Sequence, residues 1–344
     1  DRMRLLAANA ALLLAEHRYE RFALLELTQP FERSLPLKQT SMDETIAALE
    51  GLLAYEVAEV TAAATFYIAR TYMNFNHALM QSERPTGLTP AELNSYELMI
   101  EEEAFPFEDL AIEVYEANYE LMLTGIYNPW IEKSLNKLAA LMPARYAKQE
   151  LSEGLLSSVD KYVYRPPLAP QMTAEDTAGF SMLESAPVSD DLRAAFGEAL
   201  ALLKQDDKQL GIEKLTYLTS QAPMVSAPRI NLGIAYHQAG NLDAAEEHLK
   251  QALELGAGHP VTLTELGIIH RKNGRFADAK NSYEAALVTF PGYHLARRNL
   301  AILCDLYLAD TECALQHYEK YVAAAPDDDE VAIWIADVSN RIGR

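Results

Sequence analysis

Apolar residues in the last third of the chain follow two superimposed periods. Within a segment they recur every three or four positions, the spacing of an amphipathic helix. Between segments the whole pattern returns after 34 residues, from Leu232 to Leu266 to Leu300. Leu232-Gly233 leads to Tyr236, Gly240, Ala245, Leu249 and Ala252, and Leu266-Gly267 leads to His270, Gly274, Ala279, Tyr283, Ala286 and Pro291. Leu300-Ala301 leads to Cys304, Ala314, Tyr318, Tyr321 and Pro326, with one extra residue in the internal turn. Each period predicts a helix, a tight turn and an antiparallel helix. Small residues at 233, 245, 267 and 279 mark close helix crossings, and a proline stops the second helix. A worn copy precedes these, with Gly211, Leu215, Leu218 and Pro223 in register behind a helix at about 191–204. A final helix at about 328–342 sets Val331, Trp334, Ile335 and Val338 on one face and caps the stack, as an array of this kind needs.

These residues resemble the tetratricopeptide repeat, a helical hairpin that stacks into a superhelix. The expected fold is all-α, a helical-repeat superhelix (an α-solenoid) in two parts. Residues 1–165 form an irregular helical domain, 166–190 a Pro-rich linker, and 191–344 an array of four repeats with a C-terminal capping helix. In the first part the pattern predicts helices over about 2–28, 41–54, 56–82, 90–104, 107–123 and 129–141, and essentially no sheet. Ser41-x-x-Glu44 reads as a capping box, Thr89-Pro90 and Asn128-Pro129 as helix starts, and Pro106 as a break between two helices. Tyr67, Tyr72, Phe75, Tyr96, Tyr115 and Tyr119 recur at helical spacing and read as inter-helix packing. Pro166, Pro167, Pro170, Gly179 and Pro187 define the linker.

Two stretches carry a more specific likeness. Residues 51–148, with the strings AFPFEDLAIEVYEAN and YNPWIEKSLNKLAALMPARY, are similar to the C-terminal part of large bacterial tetratricopeptide-repeat proteins that accompany TonB, ExbB and ExbD-type components. Residues 299–338 resemble the end of smaller repeat lipoproteins of the same systems. The resemblance implies a periplasmic scaffold in the Gram-negative envelope, with protein partners of the TonB/ExbB/ExbD type or in the outer membrane. It supplies no catalytic residues.

Composition narrows the choice. The formal charge is −21 over 344 residues, and no Lys/Arg run offers nucleic acid or anionic lipid a basic face. No apolar run approaches the ~20 residues that span a bilayer. The chain starts at Asp1 and shows no signal peptide, as expected of a processed or truncated piece, so any signal or anchor lies outside it. The eight histidines form no metal-ligating pair, and neither a phosphate loop nor a serine-hydrolase elbow is present. No cofactor, metal or catalytic residue is expected.

The acidic run 97–113 admits a glycan-cleaving reading with Glu102 or Glu103 as general acid, weighed against a plain solvated face. Cys304 and Cys313 sit on the two helices of the last repeat, either as a disulfide or as small buried side chains; a disulfide would mark an oxidising compartment. The concave face of the array is the stronger candidate. The first-helix slots predict Ile234, His237 and Gln238, then Ile268, Arg271 and Lys272, then Ile302, Asp305 and Leu306 along it. Asn231 and Asn299 resemble the groove asparagines that hold peptide backbone in peptide-binding arrays, and Arg298 lies beside Asn299; Arg271-Lys272 also admits the plainer reading of a solvated helix end before Gly274. Asn231, His237, Arg271, Lys272, Arg298 and Asn299 are therefore the expected partner-binding residues, and Arg271, Lys272, Arg297 and Arg298 the expected grip on an acidic segment. A cytoplasmic adaptor or co-chaperone reading an acidic tail is the rival interpretation.

Overall fold

A computed structural model describes residues 2–165, 179–205, 207–256 and 258–343. The chain forms two compact units, Asp1–Ala147 and Lys148–Arg344. The division falls ahead of the expected boundary at 165, because residues 148–164 pack on the array that follows them. Of the expected linker, 166–178 lie outside the described residues.

The regular structure of the first unit's described residues is all helical: α1 (Arg2–Ala23), α2 (Phe31–Glu50), a 3₁₀ turn (Gly51–Tyr55), α3 (Ala58–Met80), α4 (Pro90–Leu123), α5 (Pro129–Leu141) and the single turn α6 (Pro143–Tyr146). Two expected starts are real caps. Thr89 accepts from the Glu92 amide while the Glu92 carboxylate accepts from the Thr89 amide, and the Asn128 carboxamide accepts from Trp130 and Ile131. Ser41 begins nothing: it lies inside α2, where the Thr45 hydroxyl donates back to its carbonyl at 2.7 Å. Pro106 breaks nothing either. It sits within a continuous α4, flanked by a buried bond from Asn76 Nδ2 to the Ala104 carbonyl at 3.0 Å. The tertiary support from α3 outweighs the local cost of one missing amide.

Aromatic residues fill this unit. The Phe66 ring lies 5.5 Å from Trp130 and 5.8 Å from both Tyr67 and Tyr115. Asn118 donates to the Ala62 carbonyl at 2.9 Å and to Ser134 Oγ at 2.8 Å, tying α4 to α3 and α5. Lys38 is buried, donating to the Leu25 carbonyl at 2.7 Å and to Asn74 Oδ1 at 2.9 Å, and burial pushes its ammonium down to about 8.

In the second unit, a short hairpin precedes the array: β1 (Lys161–Tyr164) pairs antiparallel with β2 (Phe180–Leu183), two four-residue strands in a fold otherwise all-α as expected. Phe180 stacks on Phe290 at 3.8 Å and Tyr164 meets Tyr293 edge-on at 4.9 Å, so aromatic docking onto the array holds the two strands. Four helical pairs follow: α7 (Asp190–Lys204) with α8 (Lys208–Gln221), α9 (Ala227–Gln238) with α10 (Leu242–Leu255), α11 (Pro260–Lys272) with α12 (Phe276–Thr289), and α13 (His294–Ile302) with α14 (Thr311–Ala324). The helix α15 (Asp329–Arg341) closes the stack through Val331, Trp334 and Val338.

The crossing residues act as the sequence requires. A Cβ on Gly233 would overlap the Leu249 side chain, and one on Gly267 would enter the Tyr283 ring. The extra residue of the last repeat is absorbed as a π-helical turn, Leu303–Tyr307, the usual way a helix accommodates an insertion. Where earlier repeats turn at Gly240 and Gly274 with positive φ, this one turns at Ala309 with φ 51°.

Candidate functional site

The concave face of the array is lined by α9, α11 and α13, and it is filled. Residues 148–156 run along it as an extended strap, in the direction opposite to the order of the repeats. Two sets of repeat-equivalent positions hold this strap.

The first set precedes the leucine of each Leu-Gly slot: Asn231, Glu265 and Asn299. Asn299 Oδ1 accepts from the Leu151 amide and its Nδ2 donates to the Leu151 carbonyl, both at 2.8 Å. Asn231 does the same at Leu156, at 2.7 Å and 2.9 Å. A carboxamide presents one donor and one acceptor side by side, which matches the amide and carbonyl of a single extended residue. At the middle repeat Glu265 replaces asparagine and accepts instead from the Ser152 hydroxyl.

The second set lies six residues further on: His237, Arg271 and Asp305. Arg271 and Asp305 read strap side chains by charge, while His237 meets Glu265 of the first set. Asp305 Oδ2 bonds the Lys148 ammonium, which also reaches Asp337 at 3.3 Å; the Lys148 and Asp305 side chains are fully buried. Arg341 and the Tyr318 hydroxyl complete the shell of Asp305. Arg271 meets Glu150 through Nε at 2.8 Å and through a terminal nitrogen at 2.6 Å, and the Tyr283 hydroxyl donates to the same carboxylate at 2.5 Å. Burial opposes the Arg271 charge, but the Glu150 carboxylate more than offsets it and the guanidinium is held above its ordinary range. Burial, then the Glu150 charge, pushes the Tyr283 phenol well up. His237 Nδ1 lies 3.0 Å from Glu265, and Lys272 Nζ lies 2.9 Å from His237 Nε2.

The six residues singled out in the sequence thus come together along one groove. Asn231, Asn299, Arg271 and Arg298 touch the strap directly, the last through the Gln149 carbonyl, while His237 and Lys272 stand behind Glu265. The expected basic grip is accordingly engaged within the chain. Arg271 and Arg298 hold the strap, and Arg297 turns away to the Pro291 carbonyl. The strap itself escaped sequence reading. Its one local sign is Gly154 (φ +80°), which rules out a continuous helix after Pro143.

Cys304 and Cys313 are joined as a disulfide with Cα atoms 5.9 Å apart, closing the loop that follows the π-turn. Among the described residues a metal-compatible cluster consists of these cysteines with Asp310, and the disulfide takes both sulfurs from it. Glu102 and Glu103 are exposed on α4, without the apolar enclosure a glycosidase general acid uses. No described helix is long and apolar enough to cross a membrane.

The family model of the tetratricopeptide repeat matches residues 196–260 and 264–329, so this part of the chain consists of tetratricopeptide repeats. No curated protein matches the chain. Among solved structures the chain is similar to MamA from Desulfovibrio magneticus, with 16% identity over 46% of this chain and 88% of that one, at a TM-score of 0.42. It is similar to a thermophilic TPR protein in Thermus thermophilus, with 22% identity over 43% and 81% at a TM-score of 0.38. PilF of Pseudomonas aeruginosa matches with 18% identity over 44% and 69% at a TM-score of 0.41.

Proposed function

We propose that this chain is a non-enzymatic protein-interaction scaffold of the Gram-negative envelope, working beside TonB/ExbB/ExbD-type machinery in the periplasm. The observation that carries the scaffold reading is the paired carboxamide clasp of Asn231 and Asn299 on extended backbone. It is chemistry for holding a peptide irrespective of its sequence, with neighbouring charged slots to select side chains. The Cys304–Cys313 disulfide supports an oxidising compartment, where such bonds persist. The likeness of residues 51–148 and 299–338 to envelope repeat proteins supports the TonB-linked role. A cytoplasmic adaptor that reads acidic tails would need a basic groove, and this one sets Asp305, Asp337 and Glu265 beside Arg271 and Arg298.

Affinity capture from crosslinked source cells, followed by mass spectrometry, tests the reading. Recovery of envelope energy-transduction or outer-membrane proteins is expected. Recovery of cytosolic chaperones or metabolic enzymes alone would overturn the compartment and the machinery together.

A further inference from the structure

We infer that residues 148–156 are an exchangeable cis ligand. The partner taken by the groove is then an extended segment of the same chemistry: a cation, a carboxylate two residues on, and a leucine six positions after that, with the clasps holding backbone. This inference rests on the scaffold reading and names the partner class of that site.

The pattern is set by geometry. In an extended chain alternate side chains share a face, so 148 and 150 point the same way. They enter neighbouring copies of one repeat slot, Lys148 onto Asp305 and Glu150 onto Arg271. The two slots carry opposite charges, so a segment with the order reversed would set cation on cation and anion on anion. The carboxamide clasps then fix register at Leu151 and Leu156, and Leu156 is the strap side chain buried deepest in the apolar core.

Two observations point to exchange rather than a permanent seam. Residues 148–156 belong to no helix or strand, and their described bonds to the array run through array side chains rather than a backbone ladder. Their seat is also built from charged and amide groups: Asp305, Asp337, Arg271, Arg298, Glu265 and the two asparagines. Permanent interfaces are apolar, whereas those whose partners come and go keep polar surfaces that water can reoccupy.

The test uses the full chain and a fluorescein-labelled peptide with the sequence of residues 147–157. Substituting Lys148→Ala and Glu150→Ala together weakens the cis strap and leaves every groove residue in place. The substituted chain is expected to bind the peptide at least about tenfold more tightly than the unaltered chain. A peptide whose own glutamate at the 150 position is alanine is expected to lose that gain. Equal, negligible binding by both chains would overturn the inference. Should the double variant fail to fold, native-state hydrogen exchange of the unaltered chain decides. The Leu151 and Leu156 amides are expected to exchange at least about 100-fold faster than the central amides of α11, and exchange at one common rate would overturn strap release. Peptide-independent dimerisation of the variant, with no peptide uptake, would also overturn it and assign the groove to a second copy of the chain. None of these failures touches the capture of partners from cells, which other surfaces can support, so the two proposals fail separately.

Discussion

The two units solve the same packing problem with opposite means. In the second, helices cross where one of each pair carries glycine or alanine, and the large residue opposite fills the space: Gly233 under Leu249, Gly267 under Tyr283. In the first, bulk meets bulk, as Phe66, Tyr67, Tyr115 and Trp130 converge with ring centroids 5.4–5.8 Å apart. A repeated unit must pack against a copy of itself at every step, which favours one small-against-large rule. An irregular assembly has no such constraint, and each contact is settled separately. Proline illustrates the difference. Pro291 and Pro326 fall just beyond the second helices of their repeats, whereas Pro106 rides inside a 34-residue helix because a neighbour supports it.

The contrast can be broken in three ways, from the largest effect to the smallest. Acid should weaken the second unit first. Burial holds His259 at about 4, and burial with nearby cations, Arg297 foremost, holds His317 at about 4, against 6.5 when unfolded. Their folded values are depressed, so the unfolded chain binds more protons. The stability they permit is complete above pH 6.5 and is lost as pH falls towards 4. At 1.36 kcal/mol per unit, His259 contributes on the order of 3 kcal/mol, and the less buried His317 contributes less. Near-UV circular dichroism from pH 7 to 4 should show this loss, and His259→Gln should shift the transition to lower pH. An unchanged transition in that variant would assign the acid response elsewhere.

Removing bulk from the first unit comes next. Phe66→Ala should cost about 3 kcal/mol, the lower end of the range for emptying an aromatic core site. Hydrogen exchange in α3 and α5 reports it, and unchanged protection there would refute the aromatic centre. Adding a single methyl to the second unit should have the smallest effect. Gly267→Ala should cost about 1–2 kcal/mol, because Tyr283 must shift and its hydroxyl then leaves Glu150. Equal stability in a urea titration would show that the crossing is looser than described.

How far the sequence foretold this structure depends on the reach of each interaction. The repeats were legible because every contact that defines them lies within one or two periods, and the crossing glycines and terminal prolines mark them locally. The caps at Thr89 and Asn128 were legible for the same reason. Ser41 carried the same local signal and misled, because α2 had already begun at Phe31. The first-helix slots could be located from the repeat, Asp305 among them, but not their occupant. Lys148 and Asp305 are 157 positions apart, and nothing near either residue announces the other. The hairpin failed to register because its strands depend on Phe290 and Tyr293, far downstream of both.

Lys148 also bonds Asp337, 189 residues later, on the helix that ends the stack. In an ordinary solenoid each repeat touches only its neighbours, so the ends can fray independently and folding can spread from any nucleus. Here the first residue of the unit is secured to its last helix and the strap then passes α13, α11 and α9. Fraying of α15 strips Lys148 of a carboxylate, and loosening of the strap exposes α9, α11 and α13 together. A nearest-neighbour chain has become a closed circuit of contacts. With the strap seated the repeats should unfold together, and its release should return them to independent fraying.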